Sequence, residues 1–311
     1  MRIVFMGTPE FAVAPLDTLL LNGAEVTAVY TQPDRAAGRG RALAAPPVKV
    51  IAAKWDLPVY QPSTLKPAQE IERLAALKPD VVVVAAFGRI FTEAILEVPA
   101  RGFLNIHPSL LPRYRGVSPV PAAILSGDTF TGVTIMRLDK GVDTGPLLAQ
   151  ASVAITDWDT TASLTEKLSR IGGQVLLEIL PRWVRGEIEA RPQDAALASY
   201  TRKVEKNDGE IDWNLSAAEL WRRVRAYQPW PGCYTVWQGK QAKIIEAVPR
   251  PGQTDKPGRV VPLEGAVAFG IETGEGILGV LRLQMEGKRA MTAEEFLRGQ
   301  RQWLGALLPD R

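Results

Sequence analysis

The residues richest in chemistry sit at one strand-like end, Phe103-Leu104-Asn105-Ile106-His107-Pro108-Ser109-Leu110-Leu111-Pro112-Arg113-Tyr114-Arg115-Gly116. Alternation along a strand places Asn105 and His107 on the same side, two residues apart, and Pro108 ends the strand. An amide and an imidazole so placed form a donor pair for an oxygen that turns negative while a carbonyl carbon is attacked. The imidazole can also move protons near neutral pH. A second element, Met136-Arg137-Leu138-Asp139-Lys140-Gly141-Val142-Asp143-Thr144-Gly145, carries Asp143 on a loop between two glycines, directly before another strand-like run. A carboxylate delivered there holds His107 in one tautomer and favours its charged form. Singly, a lone histidine reads as a satisfied core or surface residue and Asp-Thr-Gly as a turn. Together with Asn105 they form a specific constellation.

Other chemistries lack their residues. His107 is the single histidine and Cys233 the single cysteine, far apart in the chain, whereas a zinc site needs three or four ligands. No clustered acidic motif asks for magnesium, so no metal is expected. After Gly7 come Thr8, Pro9 and Glu10, which breaks the G-x-G-x-x-G spacing, and Gly38-Arg39-Gly40 falls in a loop, the wrong place for it. Neither a phosphate loop nor a G-x-S-x-G nucleophile elbow occurs. The lone cysteine cannot form an intrachain disulfide, which fits a reducing compartment. The longest apolar run, Val81 to Phe87, is far short of a membrane span, and Pro9 and Glu10 interrupt any signal-peptide core. A cytoplasmic protein with no membrane association is expected.

These residues need a scaffold, and 311 residues suggest two domains. Strand-like segments at 2–6, 25–30, 80–86 and 102–106 alternate with helix-like stretches beginning near Glu10 and around 47–55, 66–77 and 91–97. That order predicts an α/β doubly wound, Rossmann-like, mainly parallel sheet, and its ligand crevice lies beyond the strand C-termini, where Asn105 and His107 fall. Two more strands, 132–138 and 147–155, lead into a long helix over about 160–185. The polar, irregular stretch 190–206 reads as a linker. Beyond it, a helix around 217–227 and short strands between Gly- or Pro-containing turns predict a small OB-like β-barrel. The expected division is a catalytic domain at 1–189, a linker at 190–206 and a barrel at 207–311. Five of the eight tryptophans fall in that last part; core packing is the ordinary reading for them, and base stacking the alternative.

Charge is informative only locally. The net charge is +3, and residues 207–311 hold 14 basic and 13 acidic side chains, so neither total marks a nucleic-acid binder. From Arg35 to Trp55, however, five basic residues (Arg35, Arg39, Arg41, Lys49, Lys54) occur with no acidic one. By itself this run reads equally well as a solvated loop.

The sequence resembles the folate-dependent formyltransferases. The family's Asn-x-His and Ser-Leu-Leu-Pro pattern stands here as Asn105-Ile106-His107 and Ser109-Leu110-Leu111-Pro112, and its D-x-G-x-D-T-G pattern as Asp139 to Gly145. The resemblance implies that Asn105, His107 and Asp143 are catalytic, that Ser109, Leu110, Leu111 and Pro112 line a tetrahydrofolate site, and that 10-formyltetrahydrofolate is the formyl donor. It covers nearly the whole chain. Gly7-Thr8-Pro9-Glu10-Phe11, Thr31-Gln32-Pro33-Asp34-Arg35, Gly38-Arg39-Gly40, Arg113-Tyr114-Arg115-Gly116, Ile211-Asp212-Trp213 and Pro229-Trp230-Pro231-Gly232 resemble the branch acting on initiator methionyl-tRNA. The chain departs from the pattern at Ala36, where proline is usual, and at Val117-Ser118, where two alanines are common. On this resemblance Arg39, with Arg35 and Arg41, contacts the tRNA acceptor end, and Arg222, Arg223 and Arg225 add positioning contacts. A monomer without an obligate protein partner is expected. Two other readings stay open: a hydrolase passing the same formyl group to water, and a non-catalytic RNA-binding module.

Overall fold

The apolar runs Arg2–Gly7, Glu25–Tyr30 and Val81–Ala85 become parallel strands inside a seven-stranded sheet. In this computed structural model, which describes residues 1–37, 42–265 and 267–310, the strand order is Leu147–Ala154, Phe130–Arg137, Phe103–His107, Val81–Ala85, Arg2–Gly7, Glu25–Tyr30 and Val59–Tyr60. The first two strands of that order run antiparallel to their neighbours, and the other five are parallel. Every residue of Val81–Ala85 is buried, as expected of a strand covered by helices on both faces. From Arg2–Gly7 the chain first winds outward to Glu25–Tyr30 and then returns to Val81–Ala85 on the other side. This reversal opens a crevice at the strand C-termini.

Helix Thr161–Val184 fixes which way the key strand faces. Leu164, Leu168, Gly172, Leu176 and Ile179 make its buried stripe, a helical repeat of three to four residues. At Gly172 an added Cβ would come within 2.6 Å of Ile106 Cγ2, so the glycine allows helix and strand to touch. Because Ile106 points at this helix, its neighbours Asn105 and His107 face the opposite side of the sheet. No described helix is long and apolar enough to cross a membrane.

Residue contacts divide the chain into two compact units. The first holds Met1–Pro119, Phe130–Ala154 and Leu164–Thr201, and the second holds Val120–Thr129, Ile155–Ser163 and Arg202–Arg311. Much of the polar stretch expected to act as a linker is tied into the first unit. Arg191 forms an antiparallel bridge with Leu147, and Tyr200–Thr201 pairs in parallel with Arg115–Gly116.

The second unit contains an antiparallel sheet that curls into a half-barrel, in the order Cys233–Trp237, Lys240–Arg250, Ile277–Met285, Phe269–Glu272 and Val260–Pro262, with Met291–Thr292 added beside Ile277–Met285. Irregularities at Ile244/Glu246 and Glu246/Ala247 interrupt the longest ladder, and such bulges bend a strand. Helix Ala217–Ala226 begins with a capping box of Ser216 and Glu219. The core is aromatic: Trp303, fully buried, meets Trp237 at 4.9 Å, Phe296 at 5.2 Å and Phe269 at 5.9 Å between ring centroids. Packing therefore accounts for Trp303, and also for buried Trp213 and Trp237. Trp303→Ala is expected to cost about 3–5 kcal/mol, read as a lower urea midpoint by intrinsic fluorescence.

Candidate active site

His107, at the end of its strand, is 4% exposed. Its Nε2 lies 3.0 Å from the carbonyl oxygen of Tyr114. A carbonyl can only accept, so Nε2 carries the hydrogen, and in the neutral ring the bare lone pair is at Nδ1. Asp143 Oδ1 lies 3.6 Å from that Nδ1, while Asp143 Oδ2 accepts a 2.8 Å hydrogen bond from the backbone N–H of Gly116. Burial pulls the imidazole pKa below its ordinary value; the Asp143 carboxylate and the Tyr114 carbonyl oppose it. Burial thus favours the neutral ring, whose lone pair at Nδ1 lies beside the Asp143 carboxylate, the group that would stabilise the charged form. Asn105 lies two residues earlier on the same face, and its carboxamide makes no hydrogen bond with another described residue. Among the described residues, no cluster of three His, Cys, Asp or Glu side chains could hold a metal ion.

The backbone that presents these groups is under local constraint. Tyr114 and Asp143 both have positive φ, 60° and 51°, conformations that cost a non-glycine residue about 1–3 kcal/mol each. In the loop before Asp143, Asp139 Oδ1 accepts from Gly141 N at 2.9 Å and from Thr144 Oγ1 at 2.7 Å. At Gly145 an added Cβ would collide with the Arg137 carbonyl oxygen. The D-x-G-x-D-T-G spacing is therefore the recipe for a tight turn that ends in a raised carboxylate.

The segment 109–112 is built as structure first. Ser109 Oγ donates to Arg113 O at 2.6 Å. Thr134 Oγ1 donates to Ser109 O at 2.6 Å and accepts from Leu111 N at 3.0 Å. Leu111 is buried with Met136, Leu147 and Leu138. Leu110 and Pro112 are half-buried and keep some accessible surface.

Around Gln32, the loops at the strand ends are joined together. Gln32 Nε2 donates to Phe87 O at 2.9 Å, and Thr8 Oγ1 donates to the same carbonyl at 3.3 Å. Arg35, exposed, donates to Gln32 Oε1 at 2.6 Å. Lys49 pairs with Asp34 at 2.7 Å, and Gln61 also donates to Asp34. One cation of the basic run is therefore already paired. Arg39 and Arg41 lie outside the described residues. In the second unit Arg225 is buried and donates to the carbonyls of Thr156 and Asp159, so it braces a turn and is not a surface contact.

Two further residues meet beside the site: Arg115, from the Arg113-Tyr114-Arg115-Gly116 segment, and Gln193, which has no sequence signal of its own. Arg115, 4% exposed, directs Nε and Nη2 to Gln193 Oε1 at 3.1 and 2.8 Å. Gln193 Nε2 in turn donates to the carbonyls of Asp143 and Gly145, at 2.8 and 2.7 Å. Gln193 sits in an irregular polar stretch, where no periodicity points to a buried role.

The profile described as formyl transferase matches residues 1–180, and that of the formyl transferase C-terminal domain matches 203–301. A methionyl-tRNA formyltransferase of Chloroflexus aggregans is 49% identical over 303 residues, 96% of this chain and 97% of that one. One from Dehalococcoides mccartyi is 50% identical over 310 residues, 99% of this chain and 98% of that one. Among solved structures, the sugar 3N-formyl transferase WlaRD, determined with dTDP and 5-N-formyl-THF, superposes with a TM-score of 0.66 at 20% identity, covering 93% of this chain and 99% of that one. HypX from Aquifex aeolicus, in complex with tetrahydrofolic acid, gives 0.65 at 20% identity over 96% of this chain and 47% of that one. At such identities the two superpositions speak for the fold.

Proposed function

The chain belongs to the formyl transferase family and is a formyltransferase, and from that premise we propose that it moves the formyl group of 10-formyltetrahydrofolate to the α-amino group of initiator methionyl-tRNA, for translation initiation. The observation that carries the chemistry is the pair of buried His107 and half-buried Asp143 at 3.6 Å, with His107 on the same strand face as Asn105. What supports the acceptor is the likeness, over nearly the full length of both chains, to proteins bearing that name.

The formyl donor supplies an electrophilic carbon attached to N10. Leu110 and Pro112 offer it apolar surface, and Ser109 and Leu111 serve by shaping that turn. Asn105 donates from its carboxamide to the oxygen on which negative charge builds. As the amine nitrogen bonds to the formyl carbon, His107 accepts at Nδ1 the proton that the amine loses. The imidazolium is then stabilised by Asp143, and in that state it joins Asn105 as a donor. As the C–N10 bond breaks, His107 returns the proton to N10. Of the two roles the residue type allows, oxyanion donor and proton carrier, His107 takes the second first, because its Nε2–H is spent on the Tyr114 carbonyl. A free α-amino group has a pKa of about 7.7–8.0, so part of the acceptor is already deprotonated near neutral pH.

In this reading residues 1–189 hold the chemistry, and 207–311 form the second domain beyond the stretch 190–206. The enzyme acts as a cytoplasmic monomer without a metal, and Arg35, Arg39 and Arg41 contact the tRNA acceptor end. Formyl transfer is tested in EDTA with charged initiator tRNA, glycinamide ribonucleotide or no acceptor. Transfer to the tRNA alone supports the proposal, and loss of donor without formylated tRNA refutes it. Joint charge reversal at Arg35, Arg39 and Arg41 is expected to raise the tRNA KM by about tenfold or more and to flatten its salt dependence, with the folate KM unchanged. Equal loss for both substrates would remove the tRNA role.

A further inference from the structure

We propose that Gln193 is a positioning residue for formyl transfer: held at its oxygen by Arg115, it clamps the Asp143 loop from its nitrogen and so keeps Asp143 beside His107. The inference rests on the reaction proposed above. His107 pairs with Thr134 and Leu104 with Arg137, so the turn at 138–146 leaves the sheet at the Leu104 end, away from His107. To bring Asp143 to His107, the turn must fold back along the strand, and Asp143 must adopt its positive φ of 51°. Short-range bonds inside the turn, those of Asp139, shape it without tying it to anything else.

Gln193 supplies a tie on the carbonyl side. Its two N–H groups go one to Asp143 O and one to Gly145 O, and its oxygen takes both bonds of the Arg115 fork. The carboxamide is saturated, and its orientation is forced. Flipped, it would set NH2 against guanidinium donors and its oxygen against two carbonyls. Arg115 is itself secured: Nη1 donates to Tyr200 OH at 3.0 Å, its charge lies 5.7 Å from the Tyr200 ring centroid, and its backbone belongs to the short ladder with Tyr200–Thr201.

The residue type is telling. A carboxylate at 193 would neutralise the buried Arg115 guanidinium more directly, but it has no hydrogen to give to the two loop carbonyls. An amide satisfies both sides. It also adds no second negative charge next to Asp143.

Two substitutions separate the roles. Gln193→Glu keeps length and the Arg115 partner but removes the donors; Gln193→Met removes donors and acceptor without adding charge. Both are expected to lower kcat about 10- to 100-fold, the scale of a misplaced catalytic group, with both KM values within about threefold. His107 is the single histidine, so its ring protons can be titrated by NMR without assignment. In Gln193→Met its pKa should move down, because the carboxylate that supports the charged ring has drifted away. The proposal fails if Gln193→Glu retains wild-type kcat, or if Gln193→Met leaves both kcat and the His107 titration unchanged. It also fails if kcat falls only in step with melting temperature. Should one variant not fold, the other decides. Wild-type enzyme that does not formylate methionyl-tRNA would overturn the reaction instead, and the substrate-free titration would still read the clamp.

Discussion

His107→Ala is expected to lower kcat for formyl transfer by about 10³-fold or more, with little change in either KM. A positioned base contributes roughly 10²–10⁴-fold, and the same ring, once protonated, supports the oxyanion. In the proposed mechanism one side chain has both roles, so the two losses do not simply multiply. Residual turnover should come from Asn105 and from substrate alignment. The pH dependence identifies the group. In the wild type, kcat/KM should rise with pH along the acceptor amine, near 7.7–8.0, with a second limb below 6.5 from His107, whose pKa burial lowers. The variant should keep only the first limb. Stability follows the same linkage. As pH falls below 6.5 the unfolded chain takes up a proton that the buried ring resists, so stability decreases until the lower folded pKa is passed. His107→Ala should flatten that slope, although the Tyr114 carbonyl, left without its donor, costs about 1–3 kcal/mol at every pH. Turnover within tenfold of wild type would remove His107 from the mechanism.

Asp143→Asn is expected to cost about 10²–10³-fold in kcat. Asparagine fits the site in shape: it tolerates positive φ, and its carbonyl can accept from Gly116 N as Asp143 Oδ2 does. What changes is polarity. The amide NH2 faces His107 Nδ1 and occupies the lone pair that should take the proton, and the imidazolium loses its counter-charge. The His107 NMR titration should therefore shift to lower pH, opposite to the effect of adding an anion. A preserved fold, an intact folate KM and a shifted histidine together would mark a chemical loss. If the histidine does not move, Asp143 and His107 are not coupled in solution, and the pairing at 3.6 Å has no catalytic meaning.

Much of the scaffold is legible in local pattern. Val81–Ala85 reads as a doubly covered strand because every position is apolar, and the helix expected around 217–227 is found as Ala217–Ala226. Short pieces escape. The strands of the antiparallel pair Arg35–Ala37/Ala42–Ala44 and of the pair Arg115–Gly116/Tyr200–Thr201 are two or three residues long, too short for a period to show. Thr292 and Glu295 form a capping box at the head of helix Ala293–Gly299, a local signal of the Ser/Thr-x-x-Glu kind. Charge misleads in the other direction. Lys49 and Arg225 look like free cations in a run, but each has a partner distant in sequence: Asp34 for Lys49, and backbone carbonyls for Arg225.

By itself the sequence determined the fold class, the strand end carrying Asn105 and His107, and the loop type carrying Asp143. Hydrophobic period, proline and glycine are local properties, and three to seven residues are enough to express them. Tertiary structure alone decided which nitrogen of His107 is a base, since that depends on the Tyr114 carbonyl at 3.0 Å. It also decided that the Asp143 turn folds back along its strand, and that Arg115 and Gln193, 78 residues apart, meet to hold it there. A hydrogen bond between distant residues leaves no mark on the composition or spacing of either neighbourhood. Its energy comes from burial away from water, and burial exists only once the whole sheet has formed.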